Sequence, residues 1–444
     1  MRPVARGALG AVLLFIPAAS ARAQLIQSEW NAGDGDWNVA ANWSPVDVPD
    51  NGAGRTYAVQ IGNRPVAAGA VVTYIPEDNP NDIVSSLIIT GGAELYTNAN
   101  HLNVFGLTSI HGANSKLRIG PHLNPHASAF FTHSMALSGG GALLASGGAV
   151  EILNTLDVNA GGLLEGPGEL LAGDIGVHSG GNVVTSGMLH LDAATTQIDA
   201  GATFSGAGSL VIPAGSSLRL EHGADIGLLT QNSGSLSIGL DTAAQAAGLA
   251  YRQTASGAWT IDIHGTATSD FDQLNLTGAA QLAGALHPAI GSPYAPALGD
   301  AFNILSASSV TGQFASLVQP AGLAADLAFD VRYNPTSVQI IIVNSLPGDY
   351  NRDAIVDAAD YVVWRKTRGQ SVPIFTSADG NGDGTIDNDD FTIWRGNFGA
   401  TATPGSGVAV PEAATTFLAM AALYIFGYCG RRYLSPLPQN GHSS

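Results

Sequence analysis

"NAGGLLEGPGEL" at residues 159–170 and "DAGATFSGAGSL" at residues 199–210 align without a gap, and "SGGGALLASG" at 138–147 is a looser copy. In each, a glycine-bearing turn opens onto a short apolar run. Alternating runs of this length read as strands and the glycine units between them as turns. The same punctuation extends outward on both sides, from about Tyr57 to Val343, in "SSLIITGGAELYT", "KLRIG", "SSLRLEHGADIG" and "SVQIIIVN". A strand–turn unit cannot bury its apolar face alone, so such repeats stack on one another. The pattern predicts a mainly β chain whose body is a β-solenoid of the right-handed parallel β-helix type. Coils of roughly 20 residues, about 14 of them, would stack at ~4.8 Å per layer. A β-sandwich, or a pair of them, is the competing architecture. Within this region only "DTAAQAAGLAYRQ", at 241–253, has helical character.

At 444 residues and 45% hydrophobic content the chain is long enough for two or three domains with a sizeable core. Its 56 glycines follow no Gly-X-Y period, which excludes collagen. A formal charge of −18 argues against nucleic acid as a partner, because such binding needs clustered Lys and Arg. Cys429 is the single cysteine, so there is neither an intrachain disulfide nor a cysteine zinc site.

The first 23 residues have the parts of a secretory signal peptide. Arg2 and Arg6 form the basic start, Ala8 to Ala19 the apolar middle, and Ala21-Arg22-Ala23 the cleavage site. A membrane anchor is the other reading of this segment, and its apolar run is short for that. Downstream, Trp30, Trp37 and Trp43 bring together three of the six tryptophans. They either cap the exposed end of the β body or stack on sugar rings, and the cap is the expectation.

Catalytic motifs are sparse. There is no Gly-x-Ser-x-Gly elbow, phosphate loop or dinucleotide fingerprint. His122, His126 and His133 surround Pro125, which disfavours helical metal spacing. Asp270 with Asp272, and Glu165 with Glu169, are acid pairs of the kind glycosidases use. Residues 24–346 contain only seven basic side chains, which speaks against a lyase acting on polyanionic sugars.

The densest chemistry lies near the C-terminus. "GDYNRDAIVDAADYVVWR" begins at Gly348 and "ADGNGDGTIDNDDFTIWR" at Ala378. Asp349, Asn351, Asp353, Asp357, Asp360, Trp364 and Arg365 recur at one constant offset as Asp379, Asn381, Asp383, Asp387, Asp390, Trp394 and Arg395. Residues 349–390 hold nine of the 35 acidic residues, all of them Asp. Calcium takes six to eight oxygens, and a twelve-residue loop supplies them from positions 1, 3, 5, 7, 9 and 12. The first loop offers Asp349, Asn351, Asp353, the Ile355 carbonyl, Asp357 and Asp360. The second offers Asp379, Asn381, Asp383, the Thr385 carbonyl, Asp387 and Asp390. Two calcium ions are the expected cofactors. Aromatics at Tyr361 and Trp364, and at Phe391 and Trp394, lie three apart and so share one face of each following helix. Gly384 at the sixth position of the second loop, against Ala354 in the first, predicts tighter binding in the second. Arg352 and Asp389 add charge in the same direction.

This stretch, residues 347–400, resembles the type I dockerin family, in which each of two calcium loops is followed by a single helix. The resemblance implies docking to a cohesin-like module. Ala358-Ala359 and Asn388-Asp389 stand where the best-known members carry Ser or Thr. Residues 269–344 resemble the closing segments of secreted bacterial proteins with passenger-like β repeats. Beyond a linker at 401–409, residues 410–433 run from Val410-Pro411-Glu412 through an apolar stretch to Arg431-Arg432. That tail resembles the PEP-CTERM sorting signal, with Ala413 where a second proline is common. The resemblance implies an exosortase-type processing enzyme, a transient membrane anchor and a planctomycete-like envelope.

The expected organisation is therefore a signal peptide at 1–23, a Trp-containing β region at 24–135, and a β-solenoid body at 136–346. The dockerin-like domain at 347–400 follows, then the linker, the sorting segment and a tail at 434–444. The expected function is that of an exported, surface-associated structural or adhesive protein without catalytic residues. The rival is a secreted polysaccharide-active enzyme or carbohydrate-binding protein, with an envelope polysaccharide as its partner.

Overall fold

The structure, a computed structural model, describes residues 24–51, 55–74, 81–97, 101–120, 130–145, 149–239 and 242–401. The expected signal peptide, nearly all of the linker, the sorting segment, the tail, His122 and His126 lie outside the described residues. The chain is mainly β: the described residues form thirty strands and two α-helices. They divide into two compact units, one up to Leu323 together with Phe329–Val343, the other Ala324–Ala328 with everything from Asn344.

Parallel pairing builds the first unit. Each strand pairs with one lying a step further along the chain, so equivalent residues form columns. One column runs Val72, Leu95, Leu117, Leu143, Leu164, Val183, Phe204. A second runs Ile61, Ile89, Ile110, Leu137, Val158, Val177, Ile198, Leu220, Ile238. All of these side chains are buried. Burying one such group contributes about 1.5–3 kcal/mol, so the columns are the main stabilising feature of the unit. Steps in the second column are unequal, the longest running from Ile61 to Ile89 and the shortest from Leu220 to Ile238. Among the described residues, antiparallel pairing joins Trp30 to Trp43 near the start and Ala301 to Ile341 near the end, with an isolated antiparallel bridge between Ile263 and Phe271.

The glycine turns stack in register with the strands. Gly140, Gly161, Gly180 and Gly201 all have φ between 74° and 94°, a region other residues occupy only under strain. Their amides link turn to turn: Gly140 N–H donates to the Gly161 carbonyl, Gly161 to Gly180, and Gly180 to Gly201, at 2.7–2.9 Å. The sequence echo between 159–170 and 199–210 thus corresponds to two steps, Gly161 to Gly180 and Gly180 to Gly201.

Two expectations for this unit meet the structure differently. Residues Gln245–Gln253 form a strand, not a helix. Their burial alternates along much of the segment, and Ala247 and Gly248 pair with Asp225 and Ile226 on one side and with Asn275 and Leu276 on the other. Ladder hydrogen bonds from two neighbouring strands outweigh the helix preference of the Ala-rich segment. The three N-terminal tryptophans are buried, with Trp43 edge-on to both Trp30 and Trp37 at centroid distances of 4.9 and 4.7 Å. Trp43 Nε1 donates to the Trp37 carbonyl at 2.7 Å. Rings buried in this way have no face free for a sugar.

In the second unit the helices are α1 (Ala358–Thr367) and α2 (Asn388–Asn397). Each begins with a capping box. Asp357 and Asp387 are the N-caps, and Asp360 and Asp390 reach back to their amides. Basic residues sit in the last turns, where they complement the helix dipole. Among the described residues no helix is long and apolar enough to cross a membrane.

Candidate metal centre

The two Asp-rich loops adopt the same local fold. In the first, the Asp349 carboxylate accepts the amides of Asp353 and Ala354 at 3.2 and 2.9 Å. In the second, Asp379 accepts those of Gly382 and Gly384 at 2.8 and 3.0 Å. Asn351 and Asp353 accept the amides two residues on, and Asn381 and Asp383 do the same. The terminal Asp360 takes the amides of Tyr350, Asn351 and Asp357, and Asp390 takes those of Gly380, Asn381 and Asp387. Side-chain oxygens of short carboxylates thus curl each chain into a tight loop.

The seventh positions are placed by short antiparallel bridges, Ile355 to Thr401 and Thr385 to Ser371. The segment after each helix therefore pairs with the other copy's loop. Val356 N–H donates to the Ala400 carbonyl and Ile386 N–H to the Gln370 carbonyl, at 2.8 and 3.0 Å. The indoles repeat the exchange: Trp364 Nε1 donates to the Asp387 carbonyl at 2.6 Å and Trp394 Nε1 to the Asp357 carbonyl at 2.8 Å. Tyr361, Trp364, Phe391 and Trp394 pack with centroids 5.0–6.0 Å apart.

Asp349, Asp360, Asp379 and Asp390 are buried, each at most 2% exposed. No ion pair to any of them occurs among the described residues. Burial, reinforced by the facing Asp360, pushes the Asp349 carboxyl above the usual carboxylate range. Asp390 is raised by burial and by Asp379. Pairs of buried, mutually repelling carboxylates with only amide donors around them suit a hard cation. Among the described residues no group of three or more His, Cys, Asp or Glu converges on a point. The carboxylates are instead turned onto the loops' own amides.

The loops differ at two backbone positions. At the fourth and sixth positions the first loop holds Arg352 at φ 60° and Ala354 at φ 70°, where the second holds Gly382 at 72° and Gly384 at 80°. The expected repulsion from Arg352 is tempered, because its guanidinium pairs with Asp326. Positive φ at two non-glycine residues is what sets the first loop's backbone apart from the second's.

The two acid pairs lie in the first unit. Asp272 is buried with its two oxygens taken by the amides of Ala244 and Asp262, each at 2.8 Å. Its carboxyl, raised to about 7 by burial, ties two strands together. Glu165 is exposed on the strand Leu163–Val177 and Glu169 half-buried on it. Sequence reasoning missed a different cluster. His178 lies between two carboxylates, Nδ1 to Asp199 at 3.0 Å and Nε2 to Asp157 at 3.1 Å. The signal was present: Asp157, His178 and Asp199 are equally spaced, one step of the ladder apart. A surface depression of about 330 Å³ beside them is lined by Thr155, Asp174, Thr195 and Gln197.

Compared with known proteins, the chain matches no family model and no curated protein.

Proposed function

We propose that this chain is an exported structural or adhesive protein of the cell surface. Its body is a β-solenoid, and a dockerin-like module that follows the body in the chain binds two calcium ions and docks to a partner such as a cohesin-like module. The observation that carries this reading is the pair of equivalent loops at 349–360 and 379–390. Each buries two carboxylates with no basic partner among the described residues. Asp349, Asn351, Asp353, Asp357 and Asp360, with the Ile355 carbonyl, would hold one ion. Asp379, Asn381, Asp383, Asp387 and Asp390, with the Thr385 carbonyl, would hold the other. Bound calcium would neutralise the buried carboxylates, and each copy's aromatic residues would hold the other loop in place. The columns of parallel pairs support the solenoid body. The PEP-CTERM-like tail and the signal peptide belong to the same reading. Mass spectrometry of the mature surface protein would find both ends removed if they are processed.

Because a metal that binds only the folded state stabilises it, calcium at 100 times its dissociation constant adds about 2.7 kcal/mol. Calorimetry of the whole chain should show one transition that drops on chelation, belonging to residues 344–401, and another that does not. Asp383→Ala should abolish the tighter calcium site and Asp353→Ala the weaker one. A chain whose transitions ignore both calcium and chelator would sink the metal reading. The rival, a polysaccharide-binding or polysaccharide-active body, is favoured by the polar depression beside His178. A glycan panel scored for binding and for product release separates the two.

A further inference from the structure

The second unit is nearly symmetric in the contacts between its two loops, and a hydrogen bond from Tyr350 breaks that symmetry. The exchanges described above come in pairs: Trp364 with Trp394, and Val356 with Ile386. Tyr350, at the second position of the first loop, has Gly380 as its counterpart. The Tyr350 amide donates to Asp360 Oδ1 in its own loop at 2.7 Å. Its hydroxyl crosses to the other copy and donates to the Asp390 carbonyl at 2.6 Å. Space for the ring tip exists because residue 380 has no side chain: a Cβ there would lie 2.7 Å from Tyr350 Oη. The ring is buried.

We propose that Tyr350 couples the two calcium loops, so that an ion in one raises the affinity of the other. This rests on the calcium reading above. Asp360 and Asp390 are the twelfth residues of the two loops, the last oxygen donors of each. Tyr350 holds the first through its amide and the backbone of the second through its hydroxyl. An ion that draws Asp360 inward moves the Tyr350 backbone, and the hydroxyl passes that displacement to the residue bearing Asp390. Linkage makes the effect mutual. The indole exchange works at the ninth residues, Asp387 and Asp357, and supports the same association. Tyr350 is a positioning residue here, with no oxygen on either ion.

Calcium titration of the full chain decides the matter, with Asp383→Ala used to empty the second loop. When Tyr350 is present, Asp383→Ala should weaken the remaining site about fivefold, the worth of one hydrogen bond. In the Tyr350→Phe background the same change should weaken it by about twofold or less. Gly380→Ala, which pushes the ring tip aside and leaves the hydroxyl in place chemically, should reproduce the loss. A merely structural tyrosine would lower both affinities and leave the effect of Asp383→Ala unchanged. That result overturns the coupling while two ions still bind. A chain that takes up no calcium at all overturns the calcium reading and the coupling with it.

Discussion

Both units of this protein are built by repetition, yet the repeats work in opposite ways. In the body a repeat is an apolar residue on a strand, and each copy leans on the copies before and after it. In the small unit a repeat is a set of oxygens at fixed positions, and each copy completes the other. The tolerance for drift differs accordingly. In the column from Ile61 to Ile238 the step to Ile89 is far longer than the step from Leu220, and Val, Ile and Leu replace one another freely. From Asp349 to Arg395 the offset between the copies never changes, and every Asp and Asn of the first copy recurs in the second. Burial of apolar surface is non-directional, so any side chain of suitable size serves. Oxygens around an ion or an amide must arrive at set distances and angles, and one insertion removes them all.

The largest test of this contrast is a cavity in the body. Leu164 is buried between Leu143 and Val183 in its column. Leu164→Ala should destabilise the body by about 2–5 kcal/mol in denaturant unfolding. Calcium uptake by the same variant should be unchanged. A parallel fall in calcium affinity would mean that the two repeats are not independent.

A smaller effect concerns the backbone of the loops. Ala354 sits at φ 70°, where Gly384 stands in the second loop. Relieving that conformation with Ala354→Gly should gain about 1 kcal/mol, seen as roughly fivefold tighter calcium binding by the first loop. Unchanged affinity would show that the difference between the loops lies elsewhere, with Asp389 as the next suspect.

The smallest effect is a pH dependence within the body. Both nitrogens of His178 face carboxylates, and a neutral ring has only one N–H to offer them. Partial burial disfavours the cation, but the hydrogen bonds to Asp199 and Asp157 outweigh it, and the His178 pKa is raised. In the unfolded chain the ring returns to its ordinary value of about 6.5. The stabilisation is therefore complete below about pH 6.5 and is lost as pH rises through the folded-state value. With the side chain 36% exposed, solvent screening holds it below about 1 kcal/mol. The melting temperature of the native chain should exceed that of His178→Gln at about pH 5.5, and the gap should close by about pH 8.5. A gap that widens with pH would refute the bridging imidazolium.

Local order in the chain was enough to announce the β content, the glycine turns, the twelve-residue spacing and the helices after each loop. Each of these depends on neighbours a few residues away: alternation, a positive φ, an Asp that caps its own helix. What required the tertiary structure is whatever depends on a partner brought from elsewhere. The Ala-rich stretch ending at Gln253 is locally a helix former, and strands on either side make it a strand. Trp30, Trp37 and Trp43 leave a sugar platform as the alternative to a cap until their rings are seen packed on one another. His178 gains its two carboxylates only because successive steps of the ladder bring Asp157 and Asp199 to either side of it. Tyr350 reads as a loop residue until its hydroxyl is found on Asp390, in the other copy. Short-range preferences amount to fractions of a kcal/mol per residue, whereas burial and ladder hydrogen bonds act together across whole strands, so where the two conflict the distant neighbours prevail.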